Sequence, residues 1–173
     1  MKIATWNVNS LNVRLPHVTD WLVREAPDVL AVQETKMEDH KFPAEVFASL
    51  GYQSIFSGQK TYNGVAVISK ERPVDAVMDI PGFDDPQRRV MAVTLGDVRV
   101  VNLYIPNGSE VDSDKYRYKL AWLDALIAWL GSERQKYPQT IILGDFNIAP
   151  EDIDVYDPLQ WQGKILCSDP ERD

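Results

Sequence analysis

A mixed α/β fold is predicted by three features of the sequence. Short apolar, β-prone runs recur along the chain, with amphipathic segments of helical spacing between them. The chain opens on a brief strand–helix–strand pattern, which suggests that its two strands share one sheet. Gly96-Asp97 between two β-branched runs marks a hairpin. At 173 residues, 45% of them hydrophobic, the chain is long enough for one domain with a sizeable core.

The elements follow in order. Lys2 to Trp6 reads as a buried strand, and Asn7 begins the loop after it. Ser10 or Asn12 caps a helix through about Ala26, with Leu15, Val18 and Leu22 at helical spacing, and Pro27-Asp28 stops it. Val29 to Gln33 is a second strand with Glu34 at its C-terminal end. Pro43 to Leu50 is a short helix closed by Gly51. Tyr52 to Phe56 and Gly64 to Ser69 are strands flanking the polar loop from Ser57 to Asn63. Val90 to Leu95 and Val98 to Tyr104 form the hairpin. Residues 115–131 make an amphipathic helix with Leu120, Leu123, Ile127 and Leu130 on one face, widened by Trp122, Leu126 and Trp129. Tyr137-Pro138 breaks it, and Thr140 to Gly144 is another buried strand. Beyond Pro150 the chain turns acidic and is punctuated by proline.

Charge and composition narrow the function classes. The chain carries 26 acidic against 18 basic residues, a net charge of -8. That balance counts mildly against a nucleic-acid binder, although binding depends on a local basic patch. It suits a hard cation, which takes oxygen ligands. The single cysteine, Cys167, excludes an internal disulfide and fits a reducing compartment. With no secretory leader pattern and no apolar run of membrane-spanning length, a cytoplasmic protein without a membrane partner is expected. His17 and His40 lack ligand spacing to a second His or Cys, which argues against zinc. No Gly-x-Gly-x-x-Gly, Walker or Gly-x-Ser-x-Gly sequence is present.

The polar residues at strand ends carry the chemistry. Glu34 directly follows an apolar strand, where a rigid element would aim its carboxylate at magnesium; pairing with Lys36 is the alternative. Asn7 ends a neighbouring strand, where its amide can orient that carboxylate or serve as an Asx-turn residue. Asp145 and Asn147 alternate across Phe146 and share one face if extended. The carboxylate can polarise water and the amide can hold a phosphate; an Asx-turn before Pro150 is the other reading. Tyr104 ends a strand and can donate to a phosphoryl oxygen or cap the core edge. Arg88-Arg89 and the Lys115, Arg117, Lys119 cluster offer phosphate contacts or a solvated basic face.

Taken together, Ala4-Thr5-Trp6-Asn7-Val8-Asn9-Ser10, Gln33-Glu34-Thr35-Lys36, Asn63-Gly64-Val65-Ala66, Arg88-Arg89, Asn102-Leu103-Tyr104-Ile105-Pro106-Asn107-Gly108 and Gly144-Asp145-Phe146-Asn147-Ile148-Ala149-Pro150 resemble the exodeoxyribonuclease III and AP endonuclease family, of the endonuclease/exonuclease/phosphatase (DNase I-like) superfamily. Six blocks in order along the chain make that resemblance specific. It implies a four-layered α/β/β/α sandwich and Mg2+- or Mn2+-dependent hydrolysis of DNA phosphodiesters in base excision repair. The implied substrates are double-stranded DNA with abasic sites or 3′ termini, attacked by a monomer. By position, Asn7, Glu34 and Asp145 form the metal site. Tyr104, Asp145 and Asn147 are catalytic. Arg88, Arg89, Asn107 and Lys115 face DNA.

The resemblance also implies that residues 1–173 are the N-terminal portion of a single domain. The family pattern continues to a further Asp and a Ser-Asp-His, which Ser168-Asp169-Pro170 does not match. On that reading much of the second sheet is missing and the first sheet exposes an apolar face. A phosphatase or phosphodiesterase acting on a non-DNA substrate and a non-catalytic fragment are the competing readings.

Overall fold

Side-chain alternation along the strands sorts the apolar residues onto three packed faces, and those faces fix the architecture. The computed structural model describes residues 1–173. Its elements are β1 (Ile3–Asn7), α1 (Leu11–Glu25), β2 (Val29–Gln33), α2 (Ala44–Ser49), β3 (Gln53–Ser57), β4 (Val65–Ser69), β5 (Val74–Met78), β6 (Val90–Leu95), β7 (Val98–Tyr104), α3 (Asp114–Lys136), β8 (Thr140–Asp145), α4 (Pro158–Trp161) and α5 (Asp169–Arg172). One sheet has the order β1-β2-β4-β3 and the other β5-β6-β7-β8. β1 pairs parallel with β2, as the opening strand–helix–strand pattern suggests, and β7 pairs parallel with β8.

The outer face of the first sheet, with Leu30, Val32, Ala66 and Ile68, packs against Val18 and Leu22 of α1 and Phe47 of α2. The outer face of the second, with Val90, Ala92, Val101 and Leu103, packs against Trp122, Leu126 and Trp129 of α3. Between the sheets lie Val29, Val65, Val67, Met91, Val93, Leu95 and Val100. The result is the four-layered α/β/β/α sandwich. No helix is long and apolar enough to cross a membrane.

Several expectations need correction. The second sheet is present with four strands, and it covers the inner face of the first, so that face is not exposed. β5 has no sequence signature: Val74–Met78 is largely exposed, and its pairing with β6 is interrupted between Val74 and Val77. β8 is not a buried strand, since it lies at a sheet edge with Ile141 exposed. Asn7 is the last residue of β1, paired in register with Gln33, rather than the first of a loop. Ser10 occupies the N-cap position of α1 without capping it through its side chain.

The buried stripe of α3 contains the expected Trp122, Leu126 and Trp129, with Leu123 and Leu130 packed beside it, but it extends to residues outside the expected face. Tyr116, Lys119, Trp122, Leu126, Trp129 and Glu133 are buried, while Ile127 is 64% exposed. The stripe keeps helical spacing but includes two charged residues, which an apolar count overlooks. Glu133 is there to meet Arg99, a fully buried β7 residue, at 2.8 Å. A buried charge needs a partner of this kind.

A polar clasp interrupts the apolar layer between the sheets. Asn102 of β7 donates through Nδ2 to the carbonyls of Val32 and Ala66, both at 3.0 Å, across the sandwich. Its Oδ1 accepts from Gln33 Nε2 at 2.7 Å, and Gln33 also donates to Thr5 Oγ1 at 2.9 Å. Thus β1, β2 and β4 of one sheet are tied to one strand of the other. Asn102→Ala leaves buried carbonyls and an amide without partners, and each such group costs about 1–3 kcal/mol. The expected outcome is a loss of about 3 kcal/mol in unfolding free energy by urea denaturation. An unchanged midpoint would show that the clasp carries no net stability.

Candidate active site

The inward-facing positions of β1, β7 and β8 end in polar residues at the same mouth of the sandwich. In register, Tyr104 lies opposite Asp145, and Asn7 lies opposite Gln33, the residue before Glu34. Gly144 makes the first pairing close: a Cβ there would collide with the Leu103 carbonyl. With φ at +140°, glycine is also the residue best suited to that backbone.

Asn7 joins the two carboxylates. Its Nδ2 donates to Glu34 Oε1 at 2.8 Å and to Asp145 Oδ2 at 2.7 Å, while its Oδ1 accepts from the Asn9 backbone at 3.0 Å. Glu34 sits just past β2 with φ +57°, and Lys36 follows with φ +53°. Left-handed non-glycine residues are uncommon and gather at functional sites. Backbone pairing holds these: Ser10 and Leu11 donate to the carbonyls of Glu34 and Thr35, and Thr35 and Lys36 donate to those of Gly64 and Asn63. Lys36 Nζ meets the other Glu34 oxygen at 2.8 Å. Burial pushes the Glu34 carboxyl up, but hydrogen bonds from Lys36, Asn7 and Tyr104 outweigh it and hold the pKa below the usual glutamate value. The pairing with Lys36 and the role beside Asn7 therefore coexist.

Asp145 and Asn147 do not share an extended face. β8 ends at Asp145, and Asn147 is left-handed with φ +48°. The Asn147 backbone donates to Asp145 Oδ1 at 3.2 Å, which is the Asx-turn. This turn swings the Asn147 amide toward the neighbouring loop. Its Oδ1 accepts from Asn107 Nδ2 at 3.2 Å, and its own Nδ2 donates to the Ile105 carbonyl at 3.0 Å.

Tyr104 faces Glu34. Burial first, then the Glu34 carboxylate, push its phenol up to about 12, so the hydroxyl remains a proton donor at neutral pH. Arg89 lies over its ring at 4.6 Å and donates to its carbonyl at 3.1 Å. The other nitrogens of Arg89 reach Gln87 Oε1. Arg89 is thus buried support for Tyr104, and Arg88 pairs with Asp79. Lys115 and Asn107 do line an open pocket of 440 Å³ beside Tyr104, with Arg89, Tyr62 and Tyr118. Lys119 is not part of a basic surface, because its side chain is fully buried.

Asn7, Glu34, Tyr104 and Asp145 are brought together at the strand ends, whereas the Asn147 side chain turns to Asn107 and Ile105. Gln33 and Asn102 were visible in the sequence but carried no signal of their roles, and Lys119 was read only as part of a basic cluster. Lys119 is three residues from Tyr116 and three from Trp122, so the helical period alone places it on the buried side.

The donor set fits a hard divalent cation. Two carboxylate oxygens, Glu34 Oε1 and Asp145 Oδ2, converge on the Asn7 Nδ2 group, while the Asn7 Oδ1 accepts from the Asn9 backbone. Magnesium takes one or two carboxylates, keeps waters and bridges to phosphate, whereas zinc prefers nitrogen and sulfur.

The sequence pattern described as the endonuclease/exonuclease/phosphatase family matches residues 4–169. Exodeoxyribonuclease III of Haemophilus influenzae is 34% identical over 162 residues, which cover 90% of this chain and 60% of that enzyme. The 3′ phosphatase NExo from Neisseria, solved with a product DNA hairpin, superposes with a TM-score of 0.98 at 50% identity, over 99% of this chain and 67% of that one. An AP endonuclease from Archaeoglobus fulgidus gives a TM-score of 0.92 at 39% identity, over 99% of this chain and 67% of the other. The chain therefore spans 60% of the length of the Haemophilus relative.

Glu34→Gln keeps the shape of the side chain but removes the charge that attracts a hard cation. Titration calorimetry with Mn2+ should show at least a tenfold weaker site, about 1.4 kcal/mol. Unchanged Mn2+ affinity would exclude Glu34 as a cation ligand.

Proposed function

The chain belongs to the endonuclease/exonuclease/phosphatase family, and from that premise we propose that it hydrolyses DNA phosphodiester bonds with Mg2+ or Mn2+ in base excision repair. In this reading it incises abasic sites and removes 3′-terminal groups, as a cytoplasmic monomer on double-stranded DNA. Residues 1–173 are then the N-terminal portion of a single catalytic domain. The observation that carries the proposal is the Asn7 bridge, which holds Glu34 and Asp145 at one point beside a protonated Tyr104.

Each residue has a role that its surroundings support. Glu34, Asp145 and Asn7 would hold the cation, which when bound offsets charge building on the phosphoryl oxygens. Tyr104 presents a phenolic donor at the same mouth, suited to a non-bridging oxygen. Asp145 receives one hydrogen bond on each oxygen, from Asn7 and from the Asn147 backbone. A carboxylate has about four lone-pair sites, so it retains capacity to orient an attacking water. Asn107 lines the pocket and donates to the Asn147 side chain beside it, and the two amides are suited to a phosphate at that edge.

The acidic balance of the chain does not oppose this. Lys115 and Arg89 line the pocket, and Lys36, Lys41 and Lys60 line a second depression across the loop from Gly58 to Asn63. Positive side chains beside the mouth supply the local patch that phosphate binding needs.

In the full-length protein, Asp145→Asn should lower kcat for abasic-site incision far more than it raises KM, because orientation of water acts in the transition state. A change confined to KM would make Asp145 a binding residue instead. Tyr104→Phe should reduce kcat by about 10- to 1000-fold, the range for losing one transition-state donor. Wild-type turnover in that variant would leave Tyr104 as a core-edge residue only. Preference for inositol phosphates over abasic duplex DNA in the wild type would overturn the DNA assignment.

A further inference from the structure

Lys119 is the most completely buried cation near the mouth, and none of the roles above uses it. Its side chain and that of its partner Glu171 are both fully inaccessible. Nζ donates to Glu171 Oε1 at 2.5 Å, to the Asn147 carbonyl at 2.6 Å and to the Asn107 carbonyl at 3.3 Å. An ammonium has three protons, so all three are engaged and none remains for a phosphate. Burial alone disfavours the charge, and the Glu171 carboxylate opposes that effect.

The two carbonyls belong to the two residues whose side chains hydrogen-bond to each other, Asn107 and Asn147. Asn107 and Asn147 sit on separate loops, one after β7 and one after β8, and a single 3.2 Å side-chain hydrogen bond joins them directly. Lys119 gathers the same pair from below. Gly108 allows this approach: its φ is +87°, and a Cβ there would press on the Lys119 stem and on Ile165. Glu171 is itself held on several sides. Oε1 also accepts from the Leu166 backbone at 3.1 Å, and Oε2 accepts from the Ser168 backbone at 3.2 Å and its hydroxyl at 2.5 Å. On the same short helix, Arg172 donates to the Ala149 carbonyl at 2.8 Å. Residues 166–172 thus act as a brace beneath the loop that carries Asn147.

We propose that Lys119, anchored by Glu171, is a positioning residue that sets the backbones of Asn107 and Asn147 so that their amides face one phosphate. The inference rests on the phosphodiester reading above and deepens it. A residue in this place acts through geometry, and a misplacement of about 1 Å can cost about 100-fold in rate.

A structural role and a positioning role separate in paired variants. Lys119→Met leaves Glu171 charged and buried, which is strongly destabilising; adding Glu171→Gln removes that charge and keeps a hydrogen-bonding side chain. The double variant should regain most of the lost melting temperature. Its kcat on abasic duplex DNA should stay about 100-fold below wild type, with KM changed only a few-fold. The side-chain amide resonances of Asn107 and Asn147 should shift or broaden in its 15N spectrum. If Lys119→Met does not fold, Lys119→Gln with Glu171→Gln gives the same comparison. Recovery of kcat together with stability, or unmoved Asn107 and Asn147 resonances, would overturn the proposal. If the wild type itself does not cleave DNA, the functional reading fails, and the amide spectra alone decide whether Lys119 orders the two loops.

Discussion

Asn102 and Gln33 meet between the sheets just below the mouth, and the site depends on that meeting. Glu34 and Asn7 come from one sheet, while Tyr104 and Asp145 come from the other. Apolar packing such as that of Val67 against Val93 is tolerant of small slides, because it has no preferred direction. A side-chain amide bonded to two backbone carbonyls across the gap is directional and fixes the offset of the sheets. The Asn7 bridge then needs little further ordering, since both of its carboxylate partners are already delivered to one point. Burying the two polar side chains of Gln33 and Asn102 in an apolar layer is acceptable here because each is hydrogen-bonded.

The same economy recurs outside the sandwich. Arg99 with Glu133, and Lys119 with Glu171, are buried ion pairs that attach α3 to the second sheet and to the loops after β7 and β8. Pairs of this kind add little net stability over apolar residues of similar size, but they specify geometry. Arg89 follows this pattern, spending its nitrogens on Gln87 and on the carbonyl of Tyr104 while its plane stacks on the Tyr104 ring. Basic residues that look surface-bound in the sequence therefore divide into two groups. Lys115 and Lys60 line the open depressions, Arg99 and Lys119 hold the scaffold that presents the site, and Arg89 does both.

Strain is concentrated where the carboxylate must turn. Asn9, Ser10, Glu34, Lys36 and Asn63 all have positive φ, and all lie in loops stitched together by backbone hydrogen bonds at one end of the first sheet. None of these is a glycine, so each conformation is held by its surroundings rather than by intrinsic preference. Rigid strands and over-determined loops keep Glu34 aimed into the cleft even though an isolated peptide of this sequence would not adopt that turn.

How much of this was legible in the sequence varies by element. The continuous apolar, β-prone runs of β2, β4, β6 and β7 are local features, and with the flanking polar residues they identified the strands and the strand-end positions of Asn7, Glu34, Tyr104 and Asp145. The motif blocks, read together, identified the four layers and the family. β5 escaped because an exposed edge strand with an interrupted register leaves no apolar pattern. Lys119 and Glu133 on the buried face of α3 escaped because a charged residue reads as solvent-facing unless its distant partner is known. Residue 119 lies 52 positions from Glu171. Asn7 lies 138 positions from Asp145. A hydrogen bond acts over about 3 Å, so the sequence by itself determined which chemical groups stand at the ends of the strands. Only the tertiary structure decided which of them touch, because strand order and sheet offset set those distances and no local pattern encodes them.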